Sequence, residues 1–402
     1  MTNSPVTNSL KTPSELPFEL DEYLVRQQRV RAAMQRREID VLYIASPANI
    51  LYLTGYETGW YPPHLPLGVA IARDPDALVF FDWTLHEHSQ RFNALLDDVV
   101  FFDGDKVEPA MLKAFQKRGW TRRTVALECQ TPNPAVPAIN AMADFLYDAG
   151  ARLVSGDWIV DGVRLYKSEA ELARIRRAGL IADTAFNRLQ TDLKPGMTEL
   201  EVSAHLSALL ISLGSDYVAA QPLISSGPTA WCDLHALPSQ RRLQAGDIVA
   251  IDCCAAVDRY HANLSRTFAL GDVSSRATEI LAMAASSLSV LQAQARLGDG
   301  LDIAANAAGS HVRLCIPEDR IRWVGGYALG LAFAPHWSGH TCLNNSGPEC
   351  WSWKENYVSS FETVFYDREE GFKAQCKDTV VMTARGLESL SSLPRTLLPV
   401  EI

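Results

Sequence analysis

The sequence predicts an α/β (α+β) protein in two domains, and three observations lead there. Over roughly the first 150 residues, short apolar strand-like runs alternate with helix-like stretches. Ser168 with Glu171 and Thr198 with Glu201 then have the spacing of capping boxes, each opening a helix. A strand-rich second half follows. The chain has 402 residues, 47% of them hydrophobic, which is enough for two cores. These signals place one domain at about 18–158 and a second at 159–402.

In chain order, Glu19 to Arg37 carries apolar residues at helical spacing and reads as a helix. Val41-Leu-Tyr-Ile44 reads as a strand ending in a turn at Ser46-Pro-Ala-Asn49. Gly68 to Ala72 and Ala77 to Asp82 read as strands joined by the turn Asp74-Pro-Asp76. A helix over Leu85 to Leu96, strands at Val99 to Phe102 and Thr124 to Glu128, and a helix near Ala138 to Ala149 complete the first domain. The boundary lies in Gly162 to Gly179. In the second domain, strands are expected at Gln221 to Ser225, Asp247 to Cys253, Leu264 to Ala269 and Val380 to Thr383, with a helix over Ser275 to Gln294. Helices packed on one side of a curved antiparallel sheet suit this order.

The composition excludes several functions. A formal net charge of -10 without a Lys/Arg-rich run argues against nucleic acid or an anionic membrane surface as partner. The polar, Pro/Ser-rich start does not read as a signal peptide, and no stretch of about 18 apolar residues occurs. A cytoplasmic chain is expected, with its eight cysteines as free thiols, since no CxxC pair is present. The adjacent Cys253 and Cys254 sit in an apolar run and read as packing residues.

Several segments in this order resemble the creatinase and aminopeptidase superfamily. They are Arg164-Leu-Tyr-Lys-Ser-Glu-Ala-Glu-Leu, Leu193-Lys-Pro-Gly-Met-Thr-Glu-Leu-Glu, Ala245-Gly-Asp-Ile-Val-Ala-Ile-Asp252, Tyr260-His-Ala-Asn-Leu-Ser-Arg-Thr-Phe268 and Asp378-Thr-Val-Val-Met-Thr383. Ser46-Pro-Ala-Asn-Ile-Leu-Tyr-Leu-Thr-Gly55 extends the likeness into the first domain. The resemblance implies a creatinase-like N-terminal domain with a mixed sheet and a C-terminal pita-bread domain. It also implies a homodimer in which the Trp60 loop of one subunit acts on the other's site.

Metallopeptidases of this superfamily hold two metal ions with two Asp, one His and two Glu, hard ligands with the negative charge that two close cations need. At the matching positions this chain keeps Asp252, replaces the second Asp by Asn263 and the His by Tyr327. It places the two Glu positions near Val364 and at Lys377, with Glu362 and Asp378 the nearby acids. One kept ligand of five implies no metal and no other cofactor.

Within the superfamily, the likeness is nearest to the metal-free ectoine hydrolases, through 259–267, Gly326-Tyr-Ala-Leu-Gly-Leu-Ala-Phe-Ala-Pro-His-Trp337 and Leu393-Pro-Arg-Thr-Leu-Leu398. That resemblance implies a small-molecule C–N substrate, cyclic or amidine-like, with His235 moving protons and Asp252 as nucleophile or as base toward water. Where those enzymes carry Glu, Asp252 retracts the carboxylate by roughly 1.5 Å. Substrate-binding candidates are Trp60, Tyr61, Tyr327 and Trp337, whose ring faces attract a delocalised cation, together with His261 and Lys377. His261 shares a strand face with Asn263. The competing readings are a metal-dependent Xaa-Pro aminopeptidase and a non-catalytic binding protein.

Overall fold

The computed structural model describes residues 16–402 apart from 74–76, 89–94, 105–106, 132, 233–234, 340–342 and 344–350. It divides into two compact units, Met1–Arg164 and Leu165–Ile402. The division falls inside the Gly162 to Gly179 segment.

In the first unit, strands β1 (Val41–Ile44), β2 (Gly68–Ala72), β3 (Leu78–Trp83), β4 (Asp98–Phe102), β5 (Thr124–Leu127) and β6 (Arg152–Ser155) form one sheet in the order β4-β3-β2-β1-β5-β6. β2 runs antiparallel to β1 and β3, while β3–β4, β1–β5 and β5–β6 are parallel, so the sheet is mixed. The Glu19 to Arg37 expectation becomes a helix over Leu20–Arg36, and the Ala138 to Ala149 expectation one over Val136–Asp148. The turn expected after β1 is instead a helix, Pro47–Thr54, with Pro47 in its first turn and Gly55 (φ 72°) ending it. The run of buried Ile50 to Leu53 had masked its helical character. Of the helix expected over Leu85 to Leu96, a 3-10 turn at Thr84–His86 and the helical residues Glu87 and His88 are described, while 89–94 and the Asp74-Pro-Asp76 turn lie outside the described residues.

In the second unit, both capping boxes form as read: Ser168 and Glu171 cap the helix Glu169–Asp192, and Thr198 and Glu201 cap Glu199–Ser212. The sheet comprises β7 (Leu223–Ser226), β8 (Ile248–Val257), β9 (Tyr260–Leu270), β10 (Ile321–Gly325), β11 (Val358–Asp367) and β12 (Phe372–Thr383), ordered β10-β11-β12-β9-β8-β7. β13 (Gly386–Ser389) joins β12, and β14 (Leu398–Val400) joins β9 in parallel; the other pairings are antiparallel. The sheet curls as a half-barrel, the curved sheet of the pita-bread fold. Helices Glu169–Asp192 and Ser275–Gln294 pack on it, and a further helix, Leu301–Cys315, packs on the latter. Leu281, Leu288, Leu301, Val312, Trp353, Phe361 and Phe365 form the core between them.

Beneath the strands, Arg266 on β9 is fully buried and ion-paired to Asp378 on β12 at 2.9 Å. It also donates to the carbonyls of Lys377 (3.0 Å), Pro394 (2.9 Å) and Leu393 (3.2 Å), while Arg395 reaches the other Asp378 oxygen at 2.6 Å. One guanidinium thus locks the β9–β12 register and ties down the C-terminal segment. Arg266→Met leaves Asp378 short of a partner and costs about 3–5 kcal/mol of stability. Urea unfolding measures this, and a loss under about 1 kcal/mol would rule out the locking role.

Candidate functional site

Antiparallel pairing brings residues on neighbouring strands face to face, with their side chains on the same side of the sheet. One such cross-strand row runs Leu223, Asp252, Ser265, Lys377, Glu362, Gly325 across six adjacent strands. The small Ser265 turns its hydroxyl to the Ile251 carbonyl at 2.7 Å. Lys377, one strand spacing of about 4.8 Å beyond it, reaches over Ser265 to Asp252. Its ammonium lies 2.8 Å from Asp252 Oδ2 and 3.4 Å from Glu362 Oε1, and all three side chains are buried.

The two carboxylates are held by further donors. Asn263, next on the same face of β9, donates to Asp252 Oδ1 at 2.8 Å and accepts from Ser360 Oγ at 2.9 Å. Ser360 Oγ also lies 3.2 Å from Glu362 Oε1, and the Glu362 charge acts on the Tyr327 phenol. Trp337 Nε1 donates to the Tyr327 hydroxyl at 2.9 Å. Hydrogen bonds and ion pairs therefore link Ser360, Glu362, Lys377, Asp252 and Asn263 in one network, with the Trp337–Tyr327 pair lining the same cavity.

Burial disfavours the charged lysine, yet the Asp252 and Glu362 carboxylates outweigh it and hold the Lys377 pKa above its ordinary value. Burial, then the Glu362 and Asp252 charges, push the Tyr327 phenol well above 10, so it remains a neutral donor. Burial and Asp252 likewise raise the Cys253 and Cys254 thiols, as befits packing residues.

Asp252, Tyr327, Glu362 and Lys377 line a cavity of about 890 Å³ together with His235, Trp337 and the Asp216 to Leu223 segment. His235 stands exposed on a turn after the 3-10 helix Gly227–Cys232. The acid expected near Val364 is Glu362. Val364 pairs with Gln375 and is wholly buried, whereas Glu362 pairs with Lys377. Asp378 faces away, into the Arg266 and Arg395 pairs. The strand β11 was not read from the sequence because it is buried along its length and carries no polar–apolar alternation. The Glu362–Lys377 pair is the signal it hid.

His261 requires a correction. It was expected to reach the pocket, but it is fully buried and does not line the cavity. Its Nδ1 lies 2.9 Å from the Arg259 carbonyl, and its Nε2 accepts the Ala219 N–H at 3.1 Å. That places it behind the cavity wall formed by Asp216 to Leu223, which it anchors. Trp60 and Tyr61 belong to the first unit, where Trp60 stacks on Trp83 with ring centroids 5.1 Å apart. His336 and Asp216 line the cavity although nothing in their sequence context singles them out.

The donor set does not fit the dinuclear metal centre of the fold. Asn263 turns its amide nitrogen toward Asp252, and the Lys377 ammonium already bridges the two remaining carboxylates. Among the described residues, no three of His, Cys, Asp and Glu gather to hold a metal ion.

Burial, with help from the Arg259 charge, lowers the His261 pKa to about 3. The unfolded chain therefore takes up a proton between about pH 6.5 and 3 that the folded chain refuses. Stability from this group is complete above pH 6.5 and falls as the pH drops. Near pH 5, the unmodified chain should lose about 1.4 kcal/mol per pH unit more than His261→Gln. Parallel stability curves for the two proteins would contradict this assignment.

Comparison with known proteins fits this architecture. Residues 26–165 match the creatinase/prolidase N-terminal domain, and 173–384 match metallopeptidase family M24. Ectoine hydrolase of Halomonas elongata is 23% identical over 406 residues, spanning 95% of this chain and 98% of its own length. The Xaa-Pro dipeptidase of Pyrococcus furiosus is 24% identical, with 93% and 99% covered. A dipeptidase structure from Mycobacterium ulcerans superposes with a TM-score of 0.80 at 20% identity, covering 96% of this chain and 100% of that one. Among the described residues, no helix is long and apolar enough to cross a membrane. With more than half of its length matched, the chain belongs to metallopeptidase family M24.

Proposed function

We propose that this chain is a metal-independent hydrolase of a C–N bond in a small cyclic amidine or related nitrogen compound. The observation that carries this reading is the Lys377 ammonium, set between Asp252 and Glu362 at 2.8 and 3.4 Å. It supplies inside the sheet the positive charge that a metal centre would bring. The two carboxylates exceed the one ammonium by a single negative charge, which suits a monocationic amidinium. Tyr327 and Trp337 offer ring faces for the same cation. The near full-length likeness to an ectoine hydrolase points the same way.

In this reading, Asp252 acts as base toward water. Both of its oxygens already accept a hydrogen bond, one from Asn263 and one from Lys377, which orients the carboxylate and weakens it for direct attack. The water oxygen bonds to the amidine carbon and its proton passes to Asp252. The ring C–N bond then breaks with its electron pair staying on nitrogen, which His235 protonates, while the carbonyl forms on the added oxygen and its remaining proton is released to water. An amide and an amine result, joined in one molecule when the substrate is cyclic.

The dipeptidase likenesses favour a second reading, a metal-dependent Xaa-Pro peptidase. Incubating the protein with ectoine, related cyclic amidines, creatine and an Xaa-Pro dipeptide, with and without a chelator, separates the two by mass spectrometry. A cyclic amidine should open at the same rate in both conditions. Asp252→Asn and His235→Asn should each lower kcat/KM by about 10²–10⁴. Dipeptide cleavage that disappears with the chelator would sink the amidine reading.

A further inference from the structure

The mismatch between the donor set and a metal centre leads to a sharper statement about Lys377, one that rests on the metal-independent reading. We infer that Lys377 is a resident cation: its side chain keeps divalent ions out of a site that otherwise retains hard oxygen donors. Around the ammonium stand Asp252 Oδ2 and Glu362 Oε1, and Tyr327 lines the same cavity. Asn263 lies one residue pair along β9, joined to both acids through Asp252 and Ser360.

The strand register explains how one residue achieves this. The Lys377 and Asp252 strands are separated by β9, where Ser265 occupies the intervening position and clears the path for a long side chain. A lysine stem spans that gap, and its head settles between the two acids. Oxygen donors of this kind suit Mg²⁺, Ca²⁺ and Mn²⁺. An entering divalent ion would meet the ammonium at contact distance, and repulsion between the two cations in a buried setting opposes its entry.

Replacing Lys377 by Glu changes the local balance from two carboxylates and an ammonium to three carboxylates in one cross-strand row. The site then carries both the charge and the ligand type that a divalent ion requires. Lys377→Gln removes the resident cation without adding a ligand and should fall between the two.

The test is titration of each metal-stripped full-length protein with MnCl₂ by calorimetry, with melting curves in parallel. The unmodified chain should take up no Mn²⁺ at the cavity. Lys377→Glu should bind one equivalent at least about tenfold more tightly than any binding by the unmodified chain, and Mn²⁺ should raise its Tm. If a variant does not fold without metal, its recovery on refolding in Mn²⁺ is the readout. Failure of both variants to bind, or to recover, overturns the inference while leaving chelator-insensitive turnover by the unmodified chain intact. Mn²⁺ binding by the unmodified chain as tight as by Lys377→Glu also overturns it. If that metal were required for turnover as well, the metal-independent reading would fall with it.

Discussion

A lysine ammonium buried between two carboxylates is the interaction on which the organisation of the second unit's site depends. Each of the three charges is costly to remove from water, and only their mutual contacts and added hydrogen bonds make the burial tolerable. The sheet supplies those contacts. Glu362 and Lys377 face each other on the consecutive strands β11 and β12, and Asp252 lies 125 residues before Lys377, yet the antiparallel register sets all three in one row. The neutral groups around them are donors of the right kind: an amide from Asn263, a hydroxyl from Ser360 and a phenol from Tyr327 that burial keeps protonated. Arg266 fixes the same strands from the opposite face through Asp378 and the Lys377 carbonyl, so register and site are secured together.

Much of the fold was legible because its signals are local. Capping boxes at Ser168 and Thr198 satisfy backbone donors within four residues, and both formed as read. Asp252 could be found because Ala245-Gly-Asp-Ile-Val-Ala-Ile-Asp252 resembles the superfamily's segment ending in its first ligand Asp, although β8 runs on past it to Val257. Glu362 could not be placed from the sequence, and the reason is physical. β11 is covered on both faces, so Val358 to Asp367 shows no alternation that fixes a register, and an offset of two residues moved the expected acid to Val364. The helix over Pro47–Thr54 was hidden in a similar way, since it too is buried nearly all round.

His261 shows where face arguments stop. Alternation correctly sets it on the same side of β9 as Asn263, but side of sheet is not access to solvent. The chain from Asp216 to Leu223 lies over it, and the Ala219 N–H uses its Nε2. A neutral imidazole can accept one hydrogen bond and donate another, and here both capacities go to backbone groups. The residue shapes the cavity by holding its wall.

Family membership and chemistry therefore rest on different residues. The turns, caps and apolar strand faces that identify family M24 preserve the half-barrel and deliver the same positions to one cavity. Whether those positions hold metals or an internal cation is set by the side chains at 263, 327 and 377, and a buried row must balance its charge as a whole. Asn263 in place of an acid and Lys377 in place of another reduce the negative charge together. An acid at 377 beside Asn263 would leave three carboxylates, a charge suited to a divalent ion rather than to an ammonium. Under the metal-independent proposal, the electrostatics of the row couples these two side chains, since each changes the charge that the other must balance.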